Sequence, residues 1–485
     1  MKQLIIIGID GLSWNVIDNL IDQGNLKNIE SIIKTGASGI LNPDLPLLSP
    51  QIWASIFTGK NQERHGIKDF YSTKNDLKSD QIWDILSNFR VKVGIYRALT
   101  ALSLKKVNDF FIPSFYSFDS ECYPKKLTFI KSLDQKARFD KINLYIKIKI
   151  IWNLLKFGFP IIVLLKLIIK SILLEIRRND SKERLYNFKS IEFLIHTNLF
   201  YKLNKKYKPE FSLFYENSCD TLSHFFWRDY LQKNKFSKVI PEIYKKIDSY
   251  IGKLHNYVIK FNSTLLIISD HGFKLVEKET PQLYQKSIKV LDLLRYLNLE
   301  NDVYGTSLGN TVLFRIKPNS SITFKGMKNK IAKITCKGER IFIINEIGNI
   351  LIVKLKFFIG NEEGLVIRLN EDTNVEAKSI VDFTSRKTGL HDENNGVFII
   401  SGPNISKRKK LGVIKPYDVT PTLLNILGVP IPEGLDGKVL SKIFKIEPKK
   451  KYFKDIKKDR IEERSLNREE EKIIKERLRS LGYID

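Results

Sequence analysis

Six side chains able to bind a cation recur where an α/β chain can bring them together, with a serine among them. Asp10 closes the apolar run Leu4–Ile9 and is followed by Gly11. Ligands of open α/β sheets bind beyond the carboxyl ends of the strands, so an acid there is placed for chemistry; the plainer role is a turn or helix cap. Asp270 and His271 end a second apolar run, Leu265-Leu266-Ile267-Ile268-Ser269, and both are suitable ligands for zinc or a similar metal. Gly272 then lets the backbone turn close to a bound group, although a polar turn leaving the sheet has the same composition. Asp220 and His224 follow the run Phe211–Tyr215. Their separation of four puts both on one face of a helical turn, as two ligands of one cation or as an ordinary surface pair. His391 lies in Gly389-Leu390-His391-Asp392, just ahead of the run Val397–Ile400. Three of the six histidines in the chain therefore fall in ligand contexts. His65, in Arg64-His65-Gly66, is expected to be a structural hydrogen-bonder near the site, and His196 and His255 to be packing or surface residues on helices.

Ser49 precedes Pro50 and an expected helix, Gln51–Phe57. Ser at N-cap with Pro at N1 is a common helix start and accounts for the pair without any chemistry. The same geometry presents the hydroxyl at an anion-binding helix end, where a divalent cation would lower its pKa and make it a nucleophile. Asp10, Asp220, His224, Asp270, His271 and His391 can divide into two groups of three with Ser49 between them. Two-metal sites hold their cations about 4 Å apart and stabilise the attacking and leaving oxygens of phosphoryl transfer. Spacing alone does not assign the groups.

The elements that must position these residues follow from the same runs. Leu4–Ile9, Val91–Tyr96, Phe211–Tyr215, Thr264–Ile268 and Val397–Ile400 suit strands covered on both faces, with helical stretches such as Trp14–Ile33 and Pro241–Phe261 between them. Alternation of this kind predicts an α/β fold with a mostly parallel sheet. The chain has 485 residues, 43% hydrophobic and 11% aromatic, which is enough for a large core and excludes global disorder. Its three cysteines, Cys122, Cys219 and Cys336, exclude a disulfide framework and a cysteine-rich zinc module. A net charge of +27 suits nucleic acid, anionic lipid or an anionic substrate; being spread along the chain, it also fits a general compositional bias. The run Leu4–Ile9 is too short for the apolar region of a signal peptide, so the expected location is cytoplasmic.

The expected organisation is a catalytic core built from residues 1–100, 205–320 and 385–445, interrupted by a helical basic insert at 100–205 and a small β-rich insert at 320–385. The second insert rests on the runs Ile341-Phe342-Ile343-Ile344, Leu351-Ile352-Val353 and Val366-Ile367. Residues 446–485 form a charged tail ending in an expected helix, Asn467–Leu481. The stretch Ile150–Ile176 is interrupted by Lys156, Lys166 and Lys170, and its longest uncharged run, Phe157–Leu165, falls short of the roughly 20 residues that cross a bilayer. With Lys147, Lys149, Arg177 and Arg178 it suits either an amphipathic surface on an anionic membrane or a cap packed over the sheet with its lysines in solvent.

Taken as a set of motifs, the chain resembles the alkaline phosphatase superfamily, specifically its type I phosphodiesterase/nucleotide pyrophosphatase branch. The motifs are Gly8-Ile9-Asp10-Gly11, the segment from Ser49 to Gly59, His65-Gly66-Ile67, Asp220 with His224, Ser269-Asp270-His271-Gly272 and Gly389-Leu390-His391, in the family's order. Pro421-Thr422-Leu423-Leu424, Gly428-Val429-Pro430 and Asp436-Gly437 resemble its C-terminal section, and the match covers about 1–75, 205–275 and 385–445. The resemblance implies a three-layer α/β/α sandwich with inserted cap segments. It implies a metal-dependent hydrolase of phosphate esters, diesters foremost, with Ser49 as the nucleophile that becomes phosphoserine. Asp10, Asp270 and His271 would hold one divalent metal together with Ser49, and Asp220, His224 and His391 the other; the metals would be zinc, or manganese as in some branches. Phe70 stands where nucleotide pyrophosphatases carry a phosphate-binding Asn, and Ser49-Pro50-Gln51-Ile52-Trp53 lacks the following Pro and Arg of sulfatases, which disfavours sulfate esters.

The expected partner is a small-molecule, lipid-linked or glycan-linked phosphate ester, with peripheral contact to an anionic membrane as a further possibility. A phosphomutase, or a phosphoryl or phosphoglycerol-type transferase of the same superfamily, is the alternative enzyme. A non-catalytic basic module for membrane or nucleic acid is the alternative of another class, and no nucleic-acid-binding signature supports it.

Overall fold

The computed structural model describes residues 3–105, 107–119, 121–131, 133, 144–162, 164–165, 169, 181–275, 287–308, 311–355, 364–382, 388–454 and 467–480. Its apolar runs meet in one eight-stranded sheet. Across the sheet the order is Lys409–Ile414, Ala37–Leu41, Gly396–Ser401, Thr264–Ile268, Leu4–Ile9, Phe211–Glu216, Val93–Tyr96 and Phe110–Ile112. Neighbours are parallel throughout, except that Gly396–Ser401 opposes both strands beside it. Every residue of Leu4–Ile9, Phe211–Glu216 and Thr264–Ile268 is buried. Strands with neither face in water need apolar side chains at successive positions, hence runs rather than alternation.

The two faces of the central strand meet different helices. Ile5, Ile7 and Ile9 join a core with residues of the helices Lys27–Thr35, Ser218–Gln232 and Val239–Lys260. Gly8 looks the other way, where an added Cβ would lie 2.7 Å from Trp53 of the helix Ser49–Thr58. The architecture is the alkaline phosphatase-like sandwich, a large mostly parallel sheet between helical layers.

Two expectations about elements are corrected. Trp14–Ile33 is two helices, Trp14–Asp22 and Lys27–Thr35, separated where Gly24 takes a φ of 72°. The region 100–205 does contribute a core strand, Phe110–Ile112, which is only three residues long and so carries little periodic signal. Ala37–Leu41 and Lys409–Ile414 also join the sheet, the latter as an edge strand with most residues exposed. The three cysteines are buried and not joined in disulfides. No helix among the described residues is long and apolar enough to cross a membrane. Lys166, Lys170, Arg177 and Arg178 lie outside the described residues.

The chain packs as two units, one of residues 1–68, 77–273 and 391–459, the other of 69–76, 274–390 and 460–485. The first contains the eight-stranded sheet. The second has two four-stranded sheets over their own apolar core, with Val303–Leu308 and Thr311–Ile316 pairing beside Ile350–Leu355 and Phe342–Ile347. Its C-terminal helix Arg468–Ser480 is held there by buried Ile474 and by Glu471, 2.9 Å from Lys317. Within the same unit Arg315 grips Asp69 through two hydrogen bonds of 2.7 and 2.9 Å.

Trp53 is fully buried against Gly8. Gly8→Ala is therefore expected to overpack a rigid ring and cost about 1–3 kcal/mol. A urea unfolding midpoint equal to that of the unaltered protein would show that the helix yields freely.

Candidate metal and active site

Register alone brings two of the acids together. Gly8 pairs with Ile268, so Asp10 and Asp270, each two residues further on, leave adjacent parallel strands at the same carboxyl edge. On the other flank Gly8 pairs with Tyr215, and the Asp10 amide donates to Glu216 O at 2.8 Å. The helix Ser218–Gln232 starts directly beyond that strand with Asp220 in its first turn and His224 one turn later. His391 precedes Gly396–Ser401, and because that strand runs antiparallel, the segment before it lies at the carboxyl edge of its neighbours. His391 Nδ1 sits 3.1 Å from Leu47 O, and its ring stacks on His271 with centroids 3.6 Å apart.

Ser49 is the first residue of its helix rather than the cap. Leu48 is the N-cap, with no side-chain capping hydrogen bond. The Ser49 hydroxyl points instead into the cluster, 3.3 Å from His271 Nε2 and 3.4 Å from Asp10 Oδ1. His65 is buried, with Nδ1 accepting from the Ile67 amide at 3.1 Å, and burial lowers its pKa to about 4. His196 is buried on its helix with Nδ1 2.7 Å from the Tyr96 hydroxyl, and His255 is half-buried on another.

The structure thus gathers all seven expected residues into two adjoining sets. In one, Asp220 Oδ1 lies 3.3 Å from His224 Nε2 and 3.4 Å from His391 Nε2, and the two Nε2 atoms are 3.0 Å apart. In the other, His271 Nε2 lies 3.4 Å from Asp10 Oδ1 and 3.3 Å from Asp270 Oδ2, with Ser49 Oγ against the first two. Asp220 Oδ1 is 4.0 Å from His271 Nε2, so Asp10, Asp220 and His271 also converge, their ligand atoms within 4.8 Å of one another. Two donors held about 2.1 Å from one tetrahedral ion stand about 3.4 Å apart. The separations match the edges of such a polyhedron in both sets.

Charge makes the same demand. Asp10, Asp220 and Asp270 are all buried, at 2%, 5% and 0% exposure, where unpaired carboxylates are costly. Burial, with Asp10 beside it, pushes Asp270 well above the usual carboxylate range. Its Oδ2 is buried without a hydrogen-bond partner. Burial acts in the same sense on Asp220 but is outweighed by His224 and His391, which hold it well below that range. At His271, burial is outweighed by Asp270, Asp10 and Asp220, which raise its pKa to about 10; burial and the neighbouring His271 lower His391 to about 3. Acids crowded into such a pocket, with one oxygen left over and paired imidazole nitrogens facing each other, form a donor set suited to divalent cations.

One participant was missed from sequence. The Tyr215 hydroxyl donates to Asp10 Oδ2. Burial, with Asp10 and Asp270 nearby, pushes its pKa well above the ordinary value, so the phenol keeps its proton. Tyr215 is the last apolar residue of its run and read as core; its register opposite Gly8 was the only signal of its place.

The sequence profile for type I phosphodiesterase / nucleotide pyrophosphatase matches residues 4–343. Among solved structures, the chain is similar to murine ectonucleotide pyrophosphatase / phosphodiesterase 5, with 13% identity, a TM-score of 0.51, and coverage of 88% of this chain and 95% of that one. At that identity the likeness is one of fold. No curated protein matches in sequence.

Tyr215→Phe removes a hydrogen bond to a buried carboxylate and is expected to lower the stability of the chelator-treated protein by about 1.5–3 kcal/mol. Unfolding in urea would reveal this, and an unchanged midpoint would mean that Asp10 is held by other contacts.

Proposed function

The chain belongs to the type I phosphodiesterase / nucleotide pyrophosphatase family, and from that premise we propose that it cleaves phosphodiesters at a two-metal site with Ser49 as nucleophile. Membership makes it a phosphoric ester hydrolase acting on small-molecule phosphate esters. The observation that carries the finer reading is the pair of donor sets with edges of 3.0–3.4 Å, one of them including the Ser49 hydroxyl.

Asp10, Asp270, His271 and Ser49 would hold one cation, and Asp220, His224 and His391 the other. Two imidazoles and a carboxylate with a position left open form a common zinc set, so zinc is the proposed metal and manganese the alternative. Bound cations would lower the pKa of the serine hydroxyl and of water and offset charge on the transferred phosphoryl group. Ser49 Oγ forms its bond to phosphorus as the bond to one ester oxygen breaks; the serine proton ends on that oxygen, releasing an alcohol, and Ser49 is left carrying a phosphoryl group that keeps its other ester. Water then cleaves the Ser49–phosphate bond and restores the hydroxyl. Tyr215 fixes Asp10 during both steps through its hydrogen bond to Oδ2. Phe70 stands in the sequence where nucleotide pyrophosphatases carry a phosphate-binding Asn and has no side-chain amide, which favours diesters other than those read through that Asn.

Elemental analysis of the purified protein is expected to find about two transition-metal ions per chain, and fewer in Asp270→Asn with folded protein retained. Full metal content in that variant would remove Asp270 from the ligand set. Ser49→Gly leaves no cap bond broken and should cost about 1 kcal/mol or less, yet abolish turnover and any phosphoserine trapped by acid quench. Near-normal hydrolysis by this variant would reject the covalent step.

A further inference from the structure

The described large apolar side chains left exposed are unevenly placed. Six of eighteen fall between residues 148 and 169: Ile148, Trp152, Ile161, Ile162, Leu165 and Ile169, each 52–65% exposed. The first two lie one turn apart on the helix Leu144–Lys156. The same segment sends Leu154, Phe159 and Leu164 into the core, at 2–3% exposure. It is therefore pinned by one face while showing the other, and exposed apolar side chains gathered in one segment point to an interaction site.

The rim of this patch is basic. Lys156 stands 5.0 Å over the Trp152 ring, Lys202 Nζ donates to Gly158 O, and Lys206 lies 5.6 Å over the Phe157 ring. Lys202 and Lys205 both act on Lys253, whose pKa is lowered first by burial and then by these like charges. In the sequence itself, residues 141–174 hold six lysines and no acid. A partner protein of ordinary surface would meet repulsion here as often as attraction. A sheet of negative charge above an apolar layer fits both features, and tryptophan with lysine is the pairing favoured at the lipid–water interface. No described helix is long and apolar enough to span.

We propose that the exposed face of the helix Leu144–Lys156 and of the turn after it docks the protein on an anionic lipid bilayer. The surface lies flat on the membrane, its isoleucines and Trp152 entering the headgroup region and its lysines meeting lipid phosphates. Lys202 is thirteen residues, about 20 Å of helix, beyond Lys189, which bonds Asn217 at the carboxyl end of Phe211–Glu216. The docked rim is thus distant from the metal-ligand cluster along that helix. Docking localises the protein and leaves turnover of a soluble diester unchanged.

Trp152 supplies the readout, since Trp53, Trp83 and Trp227 are buried and Trp14 is half-buried. Metal-loaded protein would be mixed with vesicles of phosphatidylcholine, with or without phosphatidylglycerol. The expected result is sedimentation with the anionic vesicles, weaker by about tenfold or more on neutral ones and reversed by salt. A blue shift in fluorescence, lost in Trp152→Phe, should accompany it. Ile161→Glu/Ile162→Glu, at exposed positions, should lose sedimentation while hydrolysing a soluble chromogenic diester normally. The proposal fails if nothing sediments at low salt, if neutral vesicles bind equally, or if the double variant still binds. It fails equally if ultracentrifugation shows self-association that the double variant abolishes, with no vesicle binding, for the patch is then a contact between copies. Binding is read without turnover, so this outcome is independent of the phosphodiesterase reading.

Discussion

Three carboxylates buried at one edge of a sheet set the terms for everything around them. Asp10, Asp220 and Asp270 are nearly inaccessible, and like charges taken out of water must be neutralised or protonated. Burial and Asp10 push Asp270 well above the usual carboxylate range, while the neighbouring carboxylates raise His271 to about 10. His391, stacked on His271, is correspondingly driven to about 3 and stays neutral. Such compensation is incomplete, because Asp270 Oδ2 still lacks a hydrogen bond. The same arrangement that is awkward for a bare protein suits divalent ions.

Packing around the cluster leaves little freedom to escape that awkwardness. A Cβ at Gly11 would stand 2.6 Å from Phe273 and 2.9 Å from the Asp220 backbone, so the turn after Asp10 lies directly on the helix that carries Asp220. Gly11 also takes a φ of 69°, which a side chain would strain. Its amide lies 3.3 Å from Asp270 Oδ1, which turns the other oxygen toward His271. Trp53 presses on Gly8 and meets Tyr215 edge-on at 5.3 Å, tying the Ser49 helix to the strands of Asp10 and Tyr215 together. The serine hydroxyl meets the cluster through Asp10 and His271 rather than by capping its own helix.

The helix Ser181–Tyr207 links this centre to the periphery of its unit. Near its middle, Glu192 pairs with Arg97 at 2.9 Å and with Lys189 at 2.9 Å, and Lys189 reaches Asn217 just before the Asp220 helix. All of these groups are buried, and breaking one partner of such a network leaves an uncompensated charge. Burial with Glu192 beside it also raises Glu216, at the end of the strand they adjoin. At its far end the helix borders the apolar and basic surface around Gly158.

The sequence determined the chemistry more fully than the geometry. Apolar runs ending in Asp10-Gly11 and Asp270-His271-Gly272 suited buried parallel strands, because a strand covered on both faces must be apolar throughout, although a turn or cap role for the acids stayed open. The four-residue step from Asp220 to His224 likewise fixed a shared helical face. Local pattern could not show which way a strand runs. His391 precedes its strand, and in a parallel arrangement it would have emerged at the opposite edge; only antiparallel pairing of Gly396–Ser401 with Thr264–Ile268 carries it to His271. Nor could it show that Ser49 would leave its helix uncapped, since Ser-Pro reads locally as a cap, whereas its hydroxyl turns to Asp10 and His271 from distant strands. Tyr215 looked like core until register placed it beside Asp10, for one aromatic in an apolar run carries no local mark of its hydrogen bond. Short-range pattern reports burial and period, whereas direction, register and long-range charge exist only once distant segments have met.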